Sequence, residues 1–184
     1  MGILRWLSGG NSPQKQKEQQ FRGFDSKFGD DPQMSAFLKA QWLTGRGNAS
    51  GAAGDMENAA LDFTEAILID PTYPYAYIGL GTVHREAGAY KEALEVLTRA
   101  HDVASTAQGT ESRAALFDVC NSIVAIHIKA GSKSQVAEWA ARAIAAADEP
   151  ERAEMRRAAV ATGMPDDDAD MLQTLRGLIT EYGS

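Results

Sequence analysis

Cysteine is nearly absent from this chain of 184 residues, with Cys120 standing alone. That count excludes an internal disulfide framework and any cysteine-based zinc or iron–sulfur cluster. Proline is scarce, at 6 residues, and aromatics make up 8%. With alanine abundant, this composition favours packed helices over sheets. No run of about 18 apolar residues is present that could cross a bilayer as a helix. No secretory leader is expected either, because Met1-Gly-Ile-Leu-Arg-Trp-Leu7 gives way to Ser8-Gly9-Gly10 before an apolar stretch of the usual length develops. A cytoplasmic location is the expectation that follows. Gly2 does not complete a myristoylation signal, since Trp6 stands where that motif takes Ser or Thr.

Positive charge is in deficit and unevenly spread. The chain has 18 basic and 25 acidic side chains, a formal charge of −7. Residues 1–29 carry a net +3 and the remainder a net −10. An acidic body repels nucleic acid, whose binding relies on Lys and Arg neutralising phosphates, so no nucleic-acid partner is expected. Within the basic end, Ile3, Leu4, Trp6 and Leu7 fall mostly on one side of a two-turn helix, ahead of a polar, glutamine-rich stretch that reads as a tether. The segment has two readings. It is a docking plug for a neighbouring copy or a membrane surface, or a terminus that frays or folds back on its own domain.

What the sequence does contain is an internal repeat. Gly54, Ala59, Phe63 and Ala66 recur 34 residues later as Gly88, Ala93, Leu97 and Ala100, and Gly47 recurs as Gly81. A third copy runs through His127, Gly131, Val136, Ala140 and Ala143, with Gly131 lying 43 residues after Gly88. The apolar residues keep helical spacing throughout. Gly88 and Gly131 stand where a helix must end and turn. Asp55 and Ser132 follow such turns as N-cap candidates, the latter in a Ser132-x-x-Gln135 capping box.

Tyr77, Leu80, Gly81 and His84, followed by Gly88, Ala93, Leu97 and Ala100, resemble the tetratricopeptide repeat (TPR) family. The resemblance implies an all-α, short helical-repeat solenoid of about three helix hairpins with a C-terminal capping helix pair. The expected layout is a flexible basic segment over 1–32 and a TPR-like domain over 33–184. Its repeats span about 33–73, 74–107 and 110–148, and capping helices fill 150–182. Three residues depart from the family pattern: Arg46 where leucine is usual, Trp42 one place from the family's Trp, and Val124 where a small residue belongs. After Pro165, Met171, Leu172, Leu175, Leu178, Ile179 and Tyr182 form one apolar stripe suited to a terminal cap.

Catalytic chemistry finds no support. His84 and His127 share one repeat position, where a packed ring is expected, and His101 has no ligand partner at metal spacing. The glycine-rich run from Gly45 to Gly54 lacks the Gly-Lys-Ser/Thr ending of a phosphate loop and reads as a loose helix end and turn. Asp166 to Asp168 lack the glycine and distal glutamate of a calcium loop. No catalytic residue, metal or cofactor is expected. Instead, the resemblance implies a concave groove that binds a partner peptide or helix. Carried over position by position, its lining is Gln41, Thr44 and Asn48 from the first repeat, Tyr75, Ile78, Thr82 and Arg85 from the second, and Asp118, Asn121 and Ala125 from the third. Two functions stay open: an adaptor binding a protein segment in that groove, or an assembly scaffold. In the scaffold, Ile3, Leu4, Trp6 and Leu7 build a homo-oligomer or touch a membrane, giving a peripheral location.

Overall fold

The computed structural model describes residues 12–106, 114–147 and 167–183, together with the helical positions Ala153, Glu154, Arg157 and Val160. The apolar plug read at Ile3, Leu4, Trp6 and Leu7, and most of residues 150–166 of the expected capping pair, lie outside the described residues. Helices alone make up the regular structure of the described part: α1 (Pro13–Phe28), α2 (Pro32–Ala52), α3 (Met56–Ile69), α4 (Pro74–Glu86), α5 (Tyr90–Thr106), α6 (Leu116–Ala130), α7 (Lys133–Ala147) and α8 (Asp167–Tyr182). None of these helices is long and apolar enough to cross a membrane.

Local signals start and stop these helices. Asp31 Oδ1 accepts from the Met34 amide at 3.0 Å, with Pro32 in the first turn. Asp55 Oδ1 accepts from the Asn58 amide at 3.1 Å and opens α3. The two hydrogen bonds to Asn58 hold the Asp55 carboxyl below the usual carboxylate range. Between α4 and α5, and between α6 and α7, the chain turns through Gly88 at φ 76° and Gly131 at φ 70°. A side chain is strained in that left-handed region. Gln135 does not close the capping box read with Ser132; its Oε1 accepts from the Ser134 hydroxyl at 2.9 Å.

Three antiparallel pairs, α2/α3, α4/α5 and α6/α7, stack in order, each pair also touching the next. Their contact residues are small or aliphatic: Ala40, Leu43 and Ala66 in the first, Ala93, Leu97 and Ala100 in the second, Val136, Ala140 and Ala143 in the third. Helix α8 covers α7 with Leu172 and Leu175, burying an apolar end that would otherwise face water.

Residues 13–28 correct the expectation of a flexible segment. They form α1, which lies against α2. Ser12 and Pro13 supply a helix start, and positions 17, 21 and 25, four apart, share one face. Lys17 Nζ reaches Glu65 at 2.9 Å, the Phe21 ring meets Trp42 edge-on at 5.9 Å, and Asp25 Oδ1 accepts from Ser35 Oγ at 2.8 Å. Hydrogen bonds from Lys39 and Ser35 hold the Asp25 carboxyl below its ordinary range. Polarity hid this helix from the sequence reading, since none of its residues is buried.

The departures in the first repeat now have causes. Leu43, fully buried, holds the position 34 residues before Tyr77, while Trp42 turns toward Phe21 of α1 and the Arg46 guanidinium. Arg46 forms a two-pronged ion pair with the buried Asp62 carboxylate, with Nε to Oδ2 at 2.7 Å and Nη2 on Oδ1. This pair holds the Arg46 guanidinium in its charged form. Adding 34 to both numbers gives Leu80 and Val96, so an ion pair stands in register with two aliphatic residues of the next repeat. Arg46→Leu alone strands a buried carboxylate and should cost about 3 kcal/mol in urea unfolding, a typical penalty for breaking such a pair. Arg46→Leu with Asp62→Val should restore most of the loss, because aliphatic replacement of a buried ion pair is often neutral or better. A double variant no more stable than Arg46→Leu would contradict this account.

His101 of α5 meets Trp139 of α7 edge-on at 5.3 Å. Burial, aided by the Arg142 charge, lowers its pKa below the ordinary 6.5, and burial also lowers that of His127. The unfolded chain therefore takes up protons at a higher pH than the folded one, so acidification favours unfolding. The stability these neutral imidazoles support is complete above pH 6.5 and declines as pH falls below it. Urea midpoints measured from pH 7.5 down to 5 should fall, and His101→Gln with His127→Gln should flatten that slope.

Candidate functional site

Helices α2 and α4 lie side by side on one face of the stack, with α3 behind them. Between them opens a pocket of about 320 Å³. Thr44 and Asn48 line it from α2, and Tyr75, Ile78 and Thr82 line it from α4. These five come from two repeats and meet because their spacings within α2 and α4 put them on facing sides of neighbouring helices.

The floor is the Phe63 ring of α3, itself almost fully buried. Gly47 and Gly79 admit that ring between the two front helices. A Cβ on Gly47 would lie 2.8 Å from Phe63 Cε1, and one on Gly79 would come closer still. The run from Gly45 to Gly54, expected as a loose helix end and turn, is continuous helix through Ala52 and turns at Ala53 and Gly54. Sequence reading took Phe63 only as a repeat position and missed Gly79, Met56 and Val83, which also line the pocket. The signal for Gly79 was its place one residue after Ile78, a position already assigned to the groove.

Among the described residues, no charged side chain lines this pocket. The other five expected positions lie outside its lining. Gln41 is exposed on α2. Arg85 directs its guanidinium onto its neighbour Glu86, Nη2 to Oε1 at 2.8 Å, so its charge is shared with that carboxylate. Asp118, Asn121 and Ala125 are half-buried on α6, where the Asp118 backbone carbonyl accepts from Ser122 Oγ at 2.8 Å.

Buried polar atoms almost always find a partner. Among the described residues, two buried side-chain atoms do not: Thr44 Oγ1 and Asn121 Oδ1. Both belong to the set of inward positions. Thr44 is 4% exposed and lines the pocket.

Elsewhere, a broader cleft of about 1050 Å³ sits at the start of α2 and the end of α5, with Asp31, Asp70, Asp102 and Arg99 on its walls. It holds none of the expected positions. Cys120 is buried in α6, and burial pushes its thiol up to about 12, far from the reactive thiolate range. His84 and His127, which share a repeat position, are both half-buried. Among the described residues, no three His, Cys, Asp or Glu side chains gather as a metal ion would need.

Residues 52–108 match the family model for the tetratricopeptide repeat. Among solved structures, the N-terminal domain of stress-induced protein-1 (STI-1) from C. elegans is similar with a TM-score of 0.55 at 19% identity, over 65% of this chain and 93% of that one. The crystal structure of MamA is similar with a TM-score of 0.51 at 14% identity, over 94% of this chain and 97% of that one. At these identities the likeness is one of fold. No curated protein matches the chain. With its 34-residue register, its stacked helix pairs and this family match, the chain is a TPR-like, all-α helical-repeat protein.

Proposed function

We propose that the chain is a non-enzymatic interaction module that receives a peptide or helix of a partner protein in the groove between α2 and α4. The observation that carries this reading is the convergence of Thr44, Asn48, Tyr75, Ile78 and Thr82 on one preformed pocket. A concave site of this size, largely apolar with a few polar groups, is the usual form of a recognition pocket. The TPR-like fold supports an adaptor or scaffold role, and the pocket supports the groove reading of it. Aromatic and aliphatic walls such as Tyr75 and Ile78 supply the kind of anchor site on which binding energy concentrates.

The test is selection of a random peptide library on the immobilised full chain, followed by fluorescence anisotropy with the enriched peptide. Asn48 is exposed and Thr82 half-buried, so arginine at either position crowds the groove without opening the core. Asn48→Arg with Thr82→Arg should weaken peptide binding at least tenfold, with an unfolding midpoint close to that of the parent. Undiminished binding by that variant would overturn the proposal.

A further inference from the structure

The two most exposed large apolar side chains among the described residues stand on one helix. Leu68 of α3 is 78% exposed and Leu61 is 61% exposed. Seven residues apart, they lie two turns along the same helix face. The repeat itself does not require them, because 34 residues later the equivalent positions of α5 hold Glu95 and Asp102. Nor do they belong to the groove. Phe63, its floor, lies two residues from Leu61 and five from Leu68, about 200° and 140° around the helix.

Helix α1 brings the start of the chain to this outer face. Lys17 reaches Glu65 of α3, and Phe21 lines a small hollow together with Ile69. Both numbers advance by four, so α1 and α3 run in the same direction, and Pro13 stands level with Leu61. The eleven residues before Ser12 therefore enter the described fold beside the first of the two exposed leucines.

We infer that residues 3–7 fold back on the outer face of α3 in the same chain, where Ile3, Leu4, Trp6 and Leu7 cover Leu61 and Leu68. Leu7 precedes Ser12 by five residues, a reach of about 17 Å. Neighbouring helices lie about 8–10 Å apart, so that reach carries the chain from the start of α1 across to α3. Gly9 and Gly10 allow the backbone to reverse on the way. The two leucines are about 10 Å apart along the helix axis. Residues 3–7 span about 6 Å as a helix and about 13 Å as an extended strand, so the segment matches the strip in length. Charge agrees with this fit: Arg5 is the one charge within residues 2–11, and Glu57 stands exposed one turn before Leu61. The contact is on the opposite side of α3 from the pocket, so it leaves the groove open and stands or falls apart from the groove reading.

Fluorine NMR of the full chain labelled with fluorotryptophan tests the contact. It gives a line for each of the three tryptophans, with Trp6 assigned through Trp6→Phe. The Trp6 line should lie away from its position in a synthetic peptide of residues 1–12, and should not move on dilution of the protein. Leu61→Glu with Leu68→Asp places the residues of α5 at these exposed positions. In that variant the Trp6 line should shift to the peptide position, while those of Trp42 and Trp139 hold and report an intact fold. A cross-linking measurement covers the case of a misfolded variant. Leu4→Cys with Leu68→Cys should join within one chain under a short bismaleimide at least tenfold faster than Leu4→Cys with Asp102→Cys, Cys120 being buried. A parent Trp6 line at the peptide position, a line unmoved by the double substitution, or equal cross-linking rates would overturn the inference. A line that shifts on dilution would overturn it in favour of a second copy. A parent chain that pellets with phosphatidylglycerol vesicles, and no longer does so as Trp6→Glu, would overturn it in favour of a membrane surface.

Discussion

Neighbouring helices in this stack come as close as they do because particular positions present no side chain to the helix opposite. A Cβ on Gly81 would lie 2.6 Å from Leu97 Cγ, within a contact where both residues are buried. Gly47 does the same for Phe63 in the first pair. Protein interiors are packed as tightly as organic crystals, so an added methyl there has nowhere to go. The distance within each pair fixes how the next pair sits, and the spacing of α2, α4 and α6 fixes the width of the groove. The third pair meets the constraint by another route: Val124 replaces the small residue on α6, and α7 answers with Ala140 where the earlier pairs have Phe63 and Leu97.

The same exchange of one solution for another explains the first repeat. Its Arg46 and Asp62 hold a contact register that the second repeat gives to Leu80 and Val96. A pair of charges can replace a pair of aliphatic groups only if both change together, because either alone leaves a buried group without its partner. Trp42 joins this arrangement by lying under the Arg46 guanidinium, 4.9 Å from its ring centre, on the side covered by α1. The front of the stack thus differs from its middle in chemistry while keeping its geometry.

Sequence alone revealed the helical class because glycine and alanine recurred at an interval that only stacked hairpins explain, and Gly88 and Gly131 marked the turns by their backbone needs. It did not reveal α1, whose contacts are ion pairs and one ring edge that leave no apolar stripe to read. Nor did it reveal that Arg46 has a partner, since sequence shows a departure from pattern but not the residue sixteen positions away that answers it. At the site, facing positions on α2 and α4 were legible from register. Phe63 was not, because a single residue can be both core and floor. The two orphaned oxygens were beyond reach for the same reason: whether a hydroxyl or amide is satisfied depends on atoms brought close only by folding.

Cys120 carries a consequence for how the molecule opens. Its thiol sits in the core shared by α6, α7 and α8, held protonated by its surroundings at a value near 12. Thiol reagents attack the thiolate, so in the closed fold this sulfur is silent, and it becomes reactive only when the C-terminal half of the stack separates. As the one cysteine in the chain, it is a built-in clock: its rate of modification reads how often that core opens, whether locally or with the whole stack.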